Sequence, residues 1–312
     1  MMAQAEMVGS ASDQLRQLVG CFERQQGFAE VVESLREGHA ATIDGVWGSS
    51  CAPLAAALAK AASQSLVVVC PLSEQVDELI EDLRLFSPLG AERFPACESW
   101  NATSDETAQP PSEEAFGERL HLLKQLRGGQ QPPRLVVASI QGLLQPVPSQ
   151  EILDRTTRSL RLGAAMPVEE LTGWLAENGF VPTAAVDLPG EFSLRGGIVD
   201  IFAPDWDGPV RVEFVGDEIE SIRRFEIASQ RSLESLPSID VTILGARSHQ
   251  QAYLSDYLPP QTWFLLIEPG ELEQQGRQYL ERAAQPTFHH VSDVLRQIYR
   301  FPSVTASAIA SA

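Results

Sequence analysis

The spacing of apolar residues changes several times along the chain, and each spacing predicts a different kind of element. Continuous apolar runs are typical of strands buried inside a parallel sheet, and they occur at Ala40–Val46, Ser65–Cys70, Arg134–Ala138 and Trp263–Ile267. Between these runs the apolar residues follow a helical period, which indicates amphipathic helices. The longer helices are predicted at Asp13–Arg24, Phe28–Arg36, Leu54–Ala62, Ser73–Phe86, Ser112–Arg127, Glu271–Ala283 and Val291–Tyr299. Alternating strands and helices predict an α/β fold with a parallel sheet.

A different pattern occupies residues 188–233, where apolar and polar residues alternate between turns rich in Gly, Asp and Pro. The strand-like runs of this stretch are Ile198–Phe202, Val210–Phe214 and Ile219–Phe225. Alternation with such turns predicts an antiparallel meander with one buried face. The apolar residues of the second run then share the buried face, whereas Arg211 and Glu213 point away from it.

The two patterns together predict a domain organisation in which one fold interrupts another. The parallel-sheet domain is predicted over residues 1–150, with proline punctuation at Pro146–Pro148 marking its exit. A small α+β domain with an antiparallel sheet is predicted over 151–238. Residues 239–312 return to a strand-and-helix pattern and are predicted to complete the α/β domain.

Net charge, cysteine spacing and hydropathy argue against several classes of protein. The 312 residues carry a net charge of −19, which argues against passive nucleic-acid binding because that needs a basic footprint. The four cysteines, Cys21, Cys51, Cys70 and Cys97, lack a CxxC spacing and are interpreted as reduced thiols. There is no apolar run long enough for a membrane span and no signal-peptide pattern, so a cytoplasmic protein with no membrane partner is expected.

The loop after the first predicted strand has the layout of a nucleotide-binding P-loop without its chemistry. Strand, glycine loop and helix follow each other, but the pattern GxxxxGK[ST] needs a lysine for the phosphates and a hydroxyl for Mg²⁺. With Gly45 as the first glycine, the last positions hold Ser50, Cys51 and Ala52, and Lys60 lies far along the helix. We therefore interpret the loop as a relic in a degenerate RecA-like domain, with no cofactor bound.

Two other candidates for chemistry are weaker. The run that ends in Glu268-Pro269 resembles a Walker B strand, but one glutamate without the P-loop lysine cannot support phosphoryl transfer. His289-His290 are adjacent histidines, and two neighbours alone do not make a metal site. We expect a buried strand end and surface or cap histidines.

The densest signal is the series Arg-Gly-Gly-Ile-Val-Asp-Ile-Phe, Pro-Val-Arg-Val-Glu-Phe, Gly-Asp-Glu-Ile-Glu-Ser-Ile-Arg and Ser-Gln-Arg-Ser within residues 188–233. It closely resembles the second domain of the bacterial transcription-repair coupling factors and, more distantly, the corresponding domain of the UvrB excision-repair helicase. The whole chain resembles the N-terminal UvrB-homology module of the coupling factors. Residues 101–111 contain no tyrosine, where UvrB has a tyrosine-rich hairpin that probes DNA. This difference favours the coupling factors.

The resemblance implies a docking site for the repair protein UvrA. It assigns the contacts to Arg195 and Arg211, and to a third position that is aromatic in the family but holds Val215 here. A valine offers less contact area than a ring, so the apolar part of the contact is altered. Asp200 and Glu213 are predicted to orient the arginines.

Purely local roles are the alternative for these arginines. Arg195 would then pair with Glu191 or Glu213, and Arg223 and Arg224 would be ordinary solvated charges.

The resemblance further implies a non-catalytic recruitment module for nucleotide excision repair of the transcribed strand. ATP, Mg²⁺, RNA polymerase and DNA are expected only for family domains whose motifs are absent here, so a fragment, a truncated gene or a stand-alone module is expected. A UvrB-like DNA-binding or ATP-dependent helicase fragment is the alternative.

Overall fold

The computed structural model describes residues 14–97, 114–128, 132–243 and 250–309. The chain forms two compact units. The first contains residues 1–101, 122–147 and 252–312, and the second contains residues 102–121 and 148–251. The second unit is therefore inserted into the first, as the sequence predicts for its two kinds of sheet.

The helices and strands are named here in chain order. The helices are α1 (residues 14–23), α2 (Gln26–Arg36), α3 (Cys51–Ala61), α4 (Ser73–Phe86), α5 (Glu114–Gly128), α6 (Ile140–Leu144), α7 (Gln150–Arg155), α8 (Val168–Glu177), α9 (Pro269–Ala283) and α10 (Val291–Ile298). The strands are β1 (Ala40–Asp44), β2 (Leu66–Cys70), β3 (Ala91–Phe94), β4 (Leu135–Ser139), β5 (Val147–Pro148), β6 (Thr157–Arg161), β7 (Val181–Pro182), β8 (Glu191–Arg195), β9 (Ile198–Phe202), β10 (Val210–Val215), β11 (Glu218–Phe225), β12 (Ser232–Ser235), β13 (Ser238–Thr242), β14 (Gln250–Ala252), β15 (Trp263–Ile267) and β16 (Ser303–Ser307).

The first unit is built on a six-stranded sheet in the order β1-β16-β15-β2-β4-β3. All its neighbouring strands are parallel. Every residue of β2 and β4 is buried, as expected for apolar runs covered by helices on both faces. The alanine-rich α3 is buried over residues 51–59, because small side chains allow a helix to pack closely. The predicted parallel α/β architecture is confirmed.

Two strands of this sheet differ from the sequence prediction. Ala40–Val46 is predicted as a buried strand, but β1 is an edge strand whose residues alternate between exposed and half-buried. Its inner neighbour is β16, a strand that the sequence analysis does not predict. Ser303 and Ser307 are buried at its ends, and its polar composition hides it from a search for apolar runs.

The second unit is built on a sheet in the order β12-β11-β10-β9-β8-β7. Strands β8 to β12 form an antiparallel meander, and β7 pairs with β8 in parallel. In β10 the residues Val210, Val212 and Phe214 are buried, whereas Arg211 and Glu213 are half-buried on the other face. The apolar face packs on a core that includes Leu171 and Leu175 of α8. The predicted antiparallel domain is therefore confirmed as a fold class.

The boundaries of the units differ from the predicted ones. Residues 239–312 are predicted to complete the α/β domain, but β13 pairs with β6 in an antiparallel two-stranded ladder of the second unit. The second unit also includes the first half of α5, up to His121. The chain re-enters the first unit only at Ala252.

A close approach inside the second unit requires glycine at position 117. A Cβ atom on Gly117 of α5 would lie 2.0 Å from the carbonyl oxygen of Pro204. We expect Gly117→Ala to destabilise the protein by about 1–3 kcal/mol, because either the helix or the loop must move. Gly173, an exposed glycine of α8 with open space around it, is the matched control. Gly173→Ala should stabilise by about 0.5–1 kcal/mol. Urea unfolding midpoints give both values, and equal midpoints for the two variants would contradict the packing.

Candidate functional site

The predicted site lies on the outer face of the second unit's sheet, near the turn that joins β8 to β9. The turn is Gly196-Gly197, and Gly196 has a φ of +61°, which favours glycine. A Cβ atom on Gly197 would lie 2.8 Å from the carbonyl oxygen of Phe214, so this turn sits directly against β10. The N–H of Phe214 donates to the carbonyl oxygen of Gly197 at 2.7 Å. These contacts fix Arg195, the last residue before the turn.

Arg195 is exposed and is held by a backbone carbonyl. Its Nε donates to the carbonyl oxygen of Ala184 at 3.1 Å, and its Nη2 donates to the same oxygen. Among the residues that the structure describes, none of the carboxylates pairs with Arg195. Glu191 instead accepts the N–H groups of residues 187–188, and Glu213 is engaged elsewhere. The alternative in which Arg195 pairs with Glu191 or Glu213 is therefore wrong.

Arg211 lies in the same sheet but is committed to an ion pair. Its Nε donates to Asp200 Oδ1 at 2.7 Å and its Nη2 donates to Asp200 Oδ2 at 2.8 Å. Nη2 also donates to Gln230 Oε1 at 3.0 Å, and the guanidinium stacks 4.6 Å from the ring centroid of Phe225. The side chain of Arg211 is 21% exposed and that of Asp200 is 6% exposed. The hydrogen bond to Asp200 raises the pKa of Arg211 further above its ordinary value.

Glu213 pairs with neither Arg195 nor Arg211, the two predicted contact residues. It accepts a hydrogen bond from Ser221 Oγ at 2.7 Å and pairs with Arg223 of β11. The hydrogen bond from Ser221 lowers the pKa of Glu213, and the bond and charge of Arg223 act in the same direction. Of the two predicted supporting carboxylates, the structure places Asp200 on Arg211 and Glu213 on Arg223.

Two exposed apolar side chains lie on the same face as Arg195. Val215 is 63% exposed and Ile198 is 36% exposed. Ile198 faces Arg195 on one side and Glu213 on the other in the strand register. Val215 follows Glu213 by two positions and so shares its face. Val215 is a predicted site residue, whereas Ile198 is predicted only as part of a strand. The register of the hairpin is what places Ile198 outside the core.

The loop after β1 uses its backbone N–H groups in hydrogen bonds within the chain. The N–H groups of Gly45 and Val46 both donate to the carbonyl oxygen of Ser307, at 2.8 and 3.2 Å. The N–H of Trp47 donates to Ser50 Oγ at 3.0 Å, and Ser50 Oγ donates to the carbonyl oxygen of Trp47 at 2.6 Å. A P-loop instead directs its backbone N–H groups at the phosphates.

At the lysine position of the P-loop pattern the structure has a buried thiol. Burial raises the pKa of Cys51 to about 11, and the negative charge of Glu268 adds to the effect. Glu268 itself accepts the N–H of Ala308 at 2.7 Å and directly precedes α9. His289 stacks on Tyr253, with ring centroids 3.8 Å apart. Within the described ranges there is no group of three or more His, Cys, Asp or Glu residues placed to hold a metal ion.

Comparison with known proteins identifies the second unit and the family. The model of the UvrB interaction domain matches residues 159–247. The transcription-repair-coupling factor of Myxococcus xanthus is 34% identical over 223 residues, which are 69% of this chain and 18% of that protein. The one of Mycobacterium tuberculosis is 35% identical over 211 residues, 66% of this chain and 16% of that protein. The one of Bacillus subtilis is 30% identical over 216 residues, 69% of this chain and 18% of that protein.

The chain is related to the transcription-repair-coupling factors. This relationship confirms the family predicted from residues 188–233, and the matched domain falls within the second unit. The chain spans less than a fifth of the length of these relatives. In the part of the chain that the structure describes, no helix has the length and apolar character of a membrane span.

The reactivity of the thiols tests whether the loop after β1 is closed. All four cysteines are free, and Cys51 and Cys70 are buried whereas Cys21 is exposed. Burial, and then the nearby Cys51, raise the pKa of Cys70 to about 12. Because the thiolate is the reactive form, we expect native alkylation at pH 7.5 to modify Cys21 quickly and to leave Cys51 and Cys70 unmodified until urea unfolds the protein. Mass spectrometry of Cys21→Ser is the control, and rapid native labelling of Cys51 in that variant would contradict the closed loop.

The ion pair of Arg211 predicts a stability difference between the two candidate arginines. Arg211→Ala leaves the Asp200 carboxylate buried without its cation, so we expect a loss of about 3 kcal/mol. Arg195→Ala removes an exposed side chain and should change stability by less than about 0.5 kcal/mol. Urea unfolding of both variants measures the difference.

A double variant separates the pair from other contacts of Arg211. Replacing both partners, as Asp200→Leu with Arg211→Met, should recover most of the loss because no buried charge remains. A double variant as unstable as Arg211→Ala would show that the ion pair is not the cause.

Proposed function

We propose that this chain is the recruitment module of a transcription-repair coupling factor and that it docks UvrA through the outer face of strands β8 to β10. The module performs no chemistry of its own and delivers the repair machinery by binding. The proposal rests on the family relationship, on the UvrB interaction domain in residues 159–247 and on the side chains of that face.

The state of Arg195 is the observation that carries the proposal. The side chain is anchored through the carbonyl oxygen of Ala184, so its guanidinium is held in place before a partner arrives. Its charge has no carboxylate partner among the described residues, in a chain whose net charge is −19. A pre-positioned guanidinium favours a two-point contact with a partner carboxylate and costs little side-chain entropy on binding.

Arg211 has a smaller part in the proposed contact. Its Nε and Nη2 are engaged by Asp200 and Gln230, which leaves Nη1 for a partner. The carboxylate of Asp200 offsets its charge. Arg211 therefore holds the surface in shape, whereas Arg195 supplies the unneutralised charge.

The nucleotide loop supports a role without catalysis. Its first N–H groups are used by Ser307 and Ser50, and a neutral thiol at Cys51 stands where phosphate binding needs a cation. Neither ATP nor Mg²⁺ is expected to bind this chain. Within the whole coupling factor, those ligands and the contacts with RNA polymerase and DNA belong to other domains in this proposal.

Calorimetry with purified UvrA tests the proposal. The wild-type chain should bind, and Arg195→Ala should weaken the Kd by about 30-fold, equivalent to about 2 kcal/mol, as for the central charge of an interface. Arg231→Ala is the matched control, because Arg231 is an exposed arginine in the turn between β11 and β12, at the other end of the sheet. It should change the Kd less than about two-fold, as expected for a peripheral charge.

Four outcomes would overturn the proposal. UvrA binding could be absent, or equal losses in the two arginine variants could show that only net charge matters. Tight binding of Mg-ATP would favour the helicase alternative. A steeply salt-dependent affinity for DNA would favour direct DNA binding.

A further inference from the structure

Arg195, Ile198 and Val215 form one corner of the sheet, which we call the hairpin corner. It lies where the β8–β9 turn meets the end of β10. Ile198 and Val215 are 36% and 63% exposed, although both stand in strands of a well-packed sheet. In these two strands the neighbouring apolar residues Val199, Ile201, Val212 and Phe214 are buried. These four residues point to the core face, whereas Ile198 and Val215 are apolar side chains on the outer face.

The strand register places the three side chains side by side. Arg195 is directly opposite Ile198, and Ile198 is directly opposite Glu213. Directly opposite residues have Cβ atoms about 5 Å apart and diagonal ones about 7–8 Å apart. Val215 is the diagonal neighbour of Ile198 on the same face. A cation and two branched apolar side chains thus lie within reach of a single partner segment.

The two other arginines near the corner are already paired with carboxylates. Arg211 is paired with Asp200, and Arg223 is paired with Glu213. Among the described residues of this face, Arg195 is the arginine without a carboxylate partner, and Glu218 is an exposed carboxylate directly opposite Val215. A partner that fits must therefore bring one carboxylate for Arg195 and an apolar side chain for Ile198 and Val215.

We propose that Ile198 is a contact residue of the docking surface and that, together with Val215, it takes the place of a single aromatic anchor. The partner segment presents an apolar side chain next to an Asp or Glu. This inference rests on the proposed UvrA docking and deepens it, since it names a residue and a partner chemistry beyond the arginine contacts. Desolvation of the two apolar side chains slows the dissociation of the complex, and Arg195 orients the bound partner.

Threonine substitutions test the proposal without removing the branched side chains that strands favour. We expect the double variant Ile198→Thr with Val215→Thr to weaken the Kd for UvrA at least tenfold, mainly through faster dissociation. Leu233→Thr is the matched control, because Leu233 is a 68% exposed residue of β12 in the same sheet. It should bind like the wild type. Circular dichroism and urea midpoints confirm that each variant is folded.

Measurements at different ionic strengths separate the contribution of Arg195 to binding from that of the two apolar side chains. The loss caused by Arg195→Ala should shrink as salt rises from 50 to 500 mM, because salt screens an exposed charge. The loss caused by the double threonine variant should stay nearly constant. The variant Val215→Phe restores a ring at the aromatic position and should tighten binding several-fold.

The outcomes distinguish this inference from the function on which it rests. If UvrA binds the wild type and Arg195→Ala weakens binding, but the double threonine variant binds like Leu233→Thr, the apolar role of Ile198 is overturned and the docking function stands. If the wild type does not bind UvrA, the docking function is overturned together with this inference. A double-variant loss that disappears at high salt would also overturn the apolar role.

Discussion

The ion pair between Asp200 and Arg211 is the interaction on which the outer face of the second unit depends. A carboxylate as buried as Asp200 needs a cation in contact, and the two-point geometry of Arg211 fits it. The pair joins β9 to β10 at directly opposite positions. A slip of one residue would break it and would also move Val210, Val212 and Phe214 out of the core. The polar and apolar faces therefore enforce the same register.

The strand register gives different roles to arginines that look alike in the sequence. Arg211 stands opposite Asp200 and Arg223 reaches Glu213 diagonally, so each of these arginines is neutralised inside the sheet. Arg195 stands at the hairpin end, opposite an isoleucine, and keeps its charge. The first unit shows the same principle in its backbone, because β16 returns from a distant part of the chain and its Ser307 carbonyl accepts the N–H groups of the loop after β1. In both units a long-range neighbour decides which groups remain available.

The limits of sequence reasoning follow from such long-range neighbours. Apolar runs predict β2, β4 and β15, and alternation predicts the buried face of β10. In these strands the order of apolar and polar residues directly reflects which side chains are buried. The run at Ala40–Val46 reports hydrophobic character but not its position, so the edge location of β1 is missed. Strand β16 has too few large apolar residues to be noticed, yet it lies between two other strands. The end of the second domain is set by the pairing of β13 with β6, which no local signal contains.

The candidate site divides in the same way between local and long-range information. The motif around Arg195, Arg211 and Val215 is local and is read directly. The partner of each charge is a cross-strand property, and so is the exposure of Ile198, whose sequence context is that of a core residue. An apolar residue next to a glycine turn is a weak signal of this kind, since a strand that ends in such a turn lies at the margin of its sheet.

Among the described residues of this face, Arg195 is the one arginine without a carboxylate partner, so the surface discriminates between partners mainly through the cost of removing that charge from water. A partner that covers the corner without a carboxylate removes Arg195 from water and leaves it unpaired, which costs more than the loss of the contact itself. The pairs at Arg211 and Arg223 impose less of this penalty, because each keeps its own carboxylate when it is covered. Apolar contact at Ile198 and Val215 is tolerant of many partner side chains. In the proposed interface, Arg195 would therefore determine specificity, whereas Ile198 and Val215 would determine binding strength. Replacing the family's aromatic residue by Val215 would then change the binding strength without changing the specificity.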